Sequence, residues 1–155
     1  MKKIRIFLLS SILLVILIIT TSIYFYINKP YTEIIKVNWS ISLPKPYKEI
    51  YSTDSGSSFH GDGERYSIFE YENIEDVNRC IKWDNNENKV VDSAIMKVIQ
   101  SEIMEFIKGL SIPLENIPDF KSQYRYYRKW NNDSSKLYII FVPDTKLLYV
   151  IEHFQ

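Results

Sequence analysis

The chain has 155 residues, 19 basic and 19 acidic, so its formal net charge is zero. Four of the basic residues (Lys2, Lys3, Arg5, Lys29) and none of the acidic ones precede Pro30, which leaves the remaining 125 or so residues acidic by four charges. A surface of that sign suits phosphate backbones poorly and excludes nucleic acid as the expected partner, and a lone cysteine, Cys80, excludes an internal disulfide.

Ile6 to Ile27 is uncharged over 22 positions. As a helix it would be about 33 Å long, against a hydrocarbon core of roughly 30 Å. Its hydroxyls (Ser10, Ser11, Thr20, Thr21, Ser22) can bond carbonyls one turn back, and Tyr24, Phe25 and Tyr26 suit the headgroup zone. The domain plan expected is a cytoplasmic tail over 1–5, a transmembrane anchor over 6–28, a juxtamembrane linker or first strand over 29–46, and an extracytoplasmic domain over 47–155. Lys2, Lys3 and Arg5 place the N-terminus in the cytoplasm of a single-pass protein of the cell membrane. The alternative is a signal peptide cleaved near Thr20-Thr21-Ser22, with the rest secreted, although Ile23 to Ile27 resumes the apolar run beyond that point. Both readings export the bulk of the chain. Its wealth of Ile, Lys, Asn and Tyr, residues of A/T-rich codons, points to a low-GC bacterial genome.

Beyond Pro30, Glu33 to Val37 reads as a first strand or a stiff lead, ended by Leu43-Pro44-Lys45-Pro46. Tyr47 to Thr53 and Arg65 to Tyr71 alternate as strands and predict a hairpin with a long connection. Ile74, Val77 and Ile81 recur at helical steps, with Asn73 as N-cap and Cys80 expected buried on the same side. Ile95, Val98, Ile99, Ile103, Phe106, Ile107 and Leu110 form an apolar stripe, interrupted by Glu102, that predicts a helix laid on a sheet. Tyr124 to Trp130, Lys136 to Val142 and Lys146 to Phe154 read as three strands separated by turn chemistry. Arg125, Arg128 and Lys129 alternate with aromatic residues in the first of these, as in a strand with one packed and one wet face. The fold class expected is α+β: an N-terminal transmembrane helix, then a hairpin, two helices and a three-strand antiparallel meander.

Three of the four glycines fall in Asp54 to Arg65, the densest polar segment. Phe59-His60-Gly61-Asp62-Gly63 is the candidate binding loop. His60, Asp62, Asp54 and Glu64 are the candidate catalytic residues, since a carboxylate beside an imidazole can orient a general base. The bland reading is a long hairpin turn, for which Asp and Gly are the usual residues. No metal site is expected: there are only two histidines, and the acidic spacing fits no calcium loop. His153 reads as a strand-end residue. No cofactor motif occurs. The function expected is a bacterial surface protein, more a binding or accessory domain for a protein or envelope component than an enzyme. An exposed aromatic patch drawn from Tyr124, Tyr126, Trp130 or Trp39 would serve that role. A membrane-tethered hydrolase using His60 with the nearby carboxylates is the rival.

Overall fold

The computed structural model describes residues 2–27, 29–56, 62–84 and 93–155, with side chains omitted at 2–10, 26–27 and 93–95. Helix α1 spans Lys2–Ile27 and α2 Tyr31–Trp39; strands β1 (Lys48–Asp54) and β2 (Gly63–Glu70) follow. Helices α3 (Ile74–Cys80) and α4 (Ser93–Gly109) lead, through a 3-10 turn at Leu114–Asn116, to β3 (Arg125–Trp130), β4 (Lys136–Val142) and β5 (Leu147–Phe154).

The five strands form one antiparallel sheet in the order β1-β2-β5-β4-β3. The expected hairpin and meander are both present, and β2 pairing with β5 fuses them. Alternation along the strands then builds two cores. Phe69, Leu137, Ile139, Phe141, Leu148 and Val150 face α2 and α3. Tyr66, Ile68, Tyr138, Ile140, Tyr149 and Ile151 face Ile99, Ile103 and Ile107 of α4. The small domain is therefore α+β with helices on both sheet faces, and the unbroken apolar run of β4 is explained by cover on each side.

Helix α4 follows its stripe in part: Ile99, Ile103 and Ile107 are buried while Val98 is exposed, and the polar interruption has a partner. Glu102 Oε2 accepts from the Tyr138 hydroxyl, and Oε1 lies 3.7 Å from Lys136 Nζ. Helix α3 starts where expected, with Asn73 Oδ1 accepting from Glu75 N at 3.0 Å. Val77 is buried, but Cys80 is exposed, contrary to expectation. The helix ends at Cys80 and the backbone turns extended at Ile81, which enters the core in its place.

Two local readings change. Tyr31–Trp39 is a helix, neither strand nor linker. Tyr31, Ile35 and Trp39 are spaced by four, one helical face, and Ile35 and Trp39 are fully buried. The β-branched pair Ile34-Ile35 suggested a strand, but burial of side chains this large contributes roughly 2–3 kcal/mol each and overrides a propensity difference of tenths. Ser40, left-handed at φ 56°, ends the helix and returns its N–H to Lys36 O. In β1 the register shifts between Glu49 and Tyr51, a bulge that turns Tyr51 towards Tyr66 and breaks the simple alternation.

In α1 the side chains described are those of residues 11–25. Among the described residues, no helix is long and apolar enough to cross a membrane, so the expected transmembrane helix over Ile6 to Ile27 is not borne out here.

Candidate functional site

The β1–β2 connection is closed at its base by a short polar lattice. Asp54 Oδ1 accepts from Gly56 N at 2.8 Å. Ser55 pairs with Glu64 twice: Ser55 N donates to Glu64 O, and Glu64 N donates to Ser55 Oγ, each at 2.9 Å. The second contact brings Ser55 Oγ over Gly63, whose φ is 150°. A Cβ at that position would meet the hydroxyl at 2.7 Å, so the residue must be glycine on both counts.

Asp54, Ser55, Asp62, Gly63, Glu64 and Arg65 line a depression of about 100 Å³ at this end of the sheet. It shares Ser55, Asp62, Gly63, Glu64 and Phe154 with a wider, open cleft of about 500 Å³ that reaches His153 and Gln155. Antiparallel pairing sets Glu64 opposite His153. Glu64 Oε1 lies 3.7 Å from His153 Nδ1, close enough for attraction and too far for a direct hydrogen bond. The imidazole Nε2 is 3.2 Å from Gln155 Nε2, and the ring packs on Phe106 with centroids 5.2 Å apart. Glu64 Oε2 closes against Gly109 at the end of α4, where an added Cβ would stand 3.1 Å from it. At the same end of the sheet, the Arg65 guanidinium on β2 lies 5.3 Å from the Phe154 ring centroid on β5.

Four of the residues singled out from the sequence, Asp54, Asp62, Gly63 and Glu64, therefore converge on one cleft. Phe59, His60 and Gly61 lie outside the described residues. The histidine that joins the carboxylates among the described residues is His153, which read from sequence as a mere strand end. Its signal was present: His153 shares a strand face with Leu147, Tyr149 and Ile151, but only the β2–β5 register brings Glu64 to it. Chemically, a carboxylate beside an imidazole in an open cleft can hold a cationic or hydrogen-bond-donating group. Ser55 Oγ is engaged with the Glu64 backbone. Among the described residues no set of three or more His, Cys, Asp or Glu is placed to hold a metal ion.

The expected aromatic patch is mostly absent. Trp39 and Tyr126 are buried, and Tyr124 accepts from Gln100 Nε2 at 2.9 Å. Trp130 alone of the four is well exposed, at 58 %, with the Arg128 guanidinium 5.3 Å from its ring centroid. The β3 edge on which it lies is partly covered by Asp84, whose N–H donates to Tyr126 O and whose Oδ2 accepts from Arg128 N.

The chain matches no protein-family model, no curated protein and no solved structure.

Proposed function

We propose that this is a membrane-anchored protein that holds its α+β domain on the extracytoplasmic side, where the domain binds a protein or envelope component. One observation carries the anchoring. Ile12, Leu13, Leu14, Val15, Ile16, Leu17, Ile18 and Ile19 are all more than half exposed. Eight consecutive residues cover every direction around a helix axis. A helix that is apolar all round and buries none of that surface in its own domain needs a non-aqueous surrounding. Thr20 and Thr21 bond their hydroxyls back to carbonyls of the preceding turn, Thr21 Oγ1 to Leu17 O at 2.7 Å, which suits a helix with no water to satisfy them.

The orientation rests on Lys2, Lys3 and Arg5 preceding the apolar stretch. The test is fractionation of cells followed by protease treatment. The full-length chain should stay in the membrane pellet through alkaline carbonate washing, and protease added to cells with a permeable outer layer should remove the domain. Recovery of the chain in the soluble fraction, or a domain cleaved only after lysis, would overturn the reading.

One observation favours the hydrolase rival in modified form: Glu64 faces His153 in the cleft that also takes in Asp62. It predicts hydrolysis of a generic ester or peptide substrate that disappears in His153→Ala. The binding reading is preferred because the Ser55 hydroxyl in the cleft already accepts from Glu64 N, and among the described residues no set of three or more His, Cys, Asp or Glu is placed to hold a metal ion.

A further inference from the structure

The tether and the sheet together give the domain an orientation. Only residues 28–30 separate α1 from α2. Fully extended, the chain from Ile27 to Tyr31 reaches about 14 Å at most. Helix α2 is not a loose leash: Ile35 and Trp39 fix it in the core, and Lys129 Nζ donates to Trp39 O at its last turn. Its two ends mark the two ends of the sheet. Tyr31, at the start, stacks on Phe69 near the end of β2, with centroids 6.0 Å apart. Trp39, at the finish, packs on Phe154 at the end of β5, at 5.9 Å. β2 and β5 are antiparallel, with Phe69 opposite Leu148 and Gly63 opposite Phe154. The Phe69 end is therefore next to the tether. The Phe154 end, with Glu64 and His153, is a strand length away, roughly 25 Å.

The tether end has its own surface. Lys48 pairs opposite Glu70, Tyr47 N donates to Glu70 O, and Lys146 O accepts from Tyr71 N. Lys45 and Tyr47 border a shallow depression with Tyr71 and Glu72. Lys45, Lys48 and Lys146 are exposed, and Tyr47 is 65 % exposed. Lysine stems lie along an interface while their heads reach phosphates, and tyrosine rings favour the headgroup layer. Glu70, Glu72 and Asp144 share this end and cancel the three lysines, and Asp76 borders the same depression. The opposite end carries Asp54, Asp62 and Glu64 with Arg65 beside them, so the short tether, not net charge, favours the Phe69 end as the one next to the membrane.

We infer that the end of the sheet bearing Tyr47, Lys48 and Lys146 rests on the phospholipid headgroups of the membrane that α1 enters, which holds the Glu64–His153 cleft at the far end, facing away. The inference rests on the anchoring proposed above and adds to it a surface, a ligand class (the phosphate of a lipid headgroup) and a direction for the cleft.

The test uses the full chain in vesicles of phosphatidylglycerol and phosphatidylcholine. In a Cys80→Ser background, a single cysteine is placed at the tether end (Glu72→Cys) or at the far end (Asn132→Cys) and labelled with a fluorophore. Lipids that carry a spin label at the headgroup are the quencher. The expected result is loss of fluorescence at position 72 and none at 132. Adding Lys48→Glu and Lys146→Glu should restore the signal at 72 while the protein still floats with the vesicles. Equal signals at the two positions in protein that floats overturn the orientation and leave the anchor standing, as does quenching at 132 alone. Protein that does not float with the vesicles overturns the anchor and the orientation with it.

Discussion

The Trp39 indole donates from Nε1 to Oε1 of Glu152 at 2.5 Å, a contact between residues 113 positions apart that ties the helix next to the tether to the central strand of the sheet. Both side chains are fully buried, and Glu152 Oε2 has no hydrogen-bond partner among the described residues. Arg65 pairs opposite Glu152 across the strands, yet its guanidinium lies over Phe154 instead. Trp39→Phe removes this donor and leaves a buried carboxyl without it, which should destabilise the fold by about 1–3 kcal/mol. In a Glu152→Leu background the same substitution should cost far less. Urea denaturation of the four proteins measures the coupling, and equal costs in the two backgrounds would show that the contact contributes nothing.

Burial pushes the Glu152 carboxyl up from an ordinary 4.5 to about 8. An acid whose folded pKa is raised favours the folded state while protonated. Its contribution is whole below pH 4.5, falls as the unfolded chain ionises first, and is gone above pH 8. Wild-type stability should therefore decline across that window by an amount of the order of 4 kcal/mol. Glu152→Gln should flatten the decline and give a higher Tm than wild type at pH 8. Parallel Tm profiles for the two proteins from pH 4.5 to 8 would rule out a neutral Glu152.

Gly63 stands at φ 150° with Ser55 Oγ where a Cβ would go. Gly63→Ala should cost about 1–3 kcal/mol through backbone strain and overlap. Gly63→Ala with Ser55→Gly should recover the part due to overlap and keep the part due to φ. A thermal melt of each variant separates the two, and a wild-type Tm for Gly63→Ala alone would contradict the geometry.

Cys80 is exposed at the last position of α3. In the native protein it should react with an aromatic disulfide reagent at a rate within a few-fold of that in denaturant, since access controls thiol modification. A thiol that reacts only after unfolding would restore the buried position that helical spacing suggested.

Much of the architecture follows from local pattern. The stripe of α4, the Asn73 cap and the strand pairs on either side of their turns were all legible, because a hydrophobic period of 3.6 or 2 repeats within ten residues or so. The polar density of Asp54 to Arg65 left a turn and a site both open, and only the fold sets Asp54, Asp62, Gly63 and Glu64 around one depression. Helix α2 was misread because a nine-residue helix has too few turns for its spacing to outweigh its β-branched residues; docking against the sheet decides its form. The bulge in β1 and the exposure of Cys80 depend likewise on what the neighbouring element leaves uncovered.

Sequence alone determined which segments are apolar, where the chain must turn, and that the part beyond Pro30 is acidic. Only the tertiary structure decided that Glu64 meets His153, that Glu152 lies buried against the Trp39 indole, and that Trp39 belongs to the core instead of a surface patch. The first two depend on the register of β2 and β5, where a shift of one residue would send Glu64, or Glu152 and His153, to the opposite face of the sheet; the third depends on the docking of α2 against that sheet.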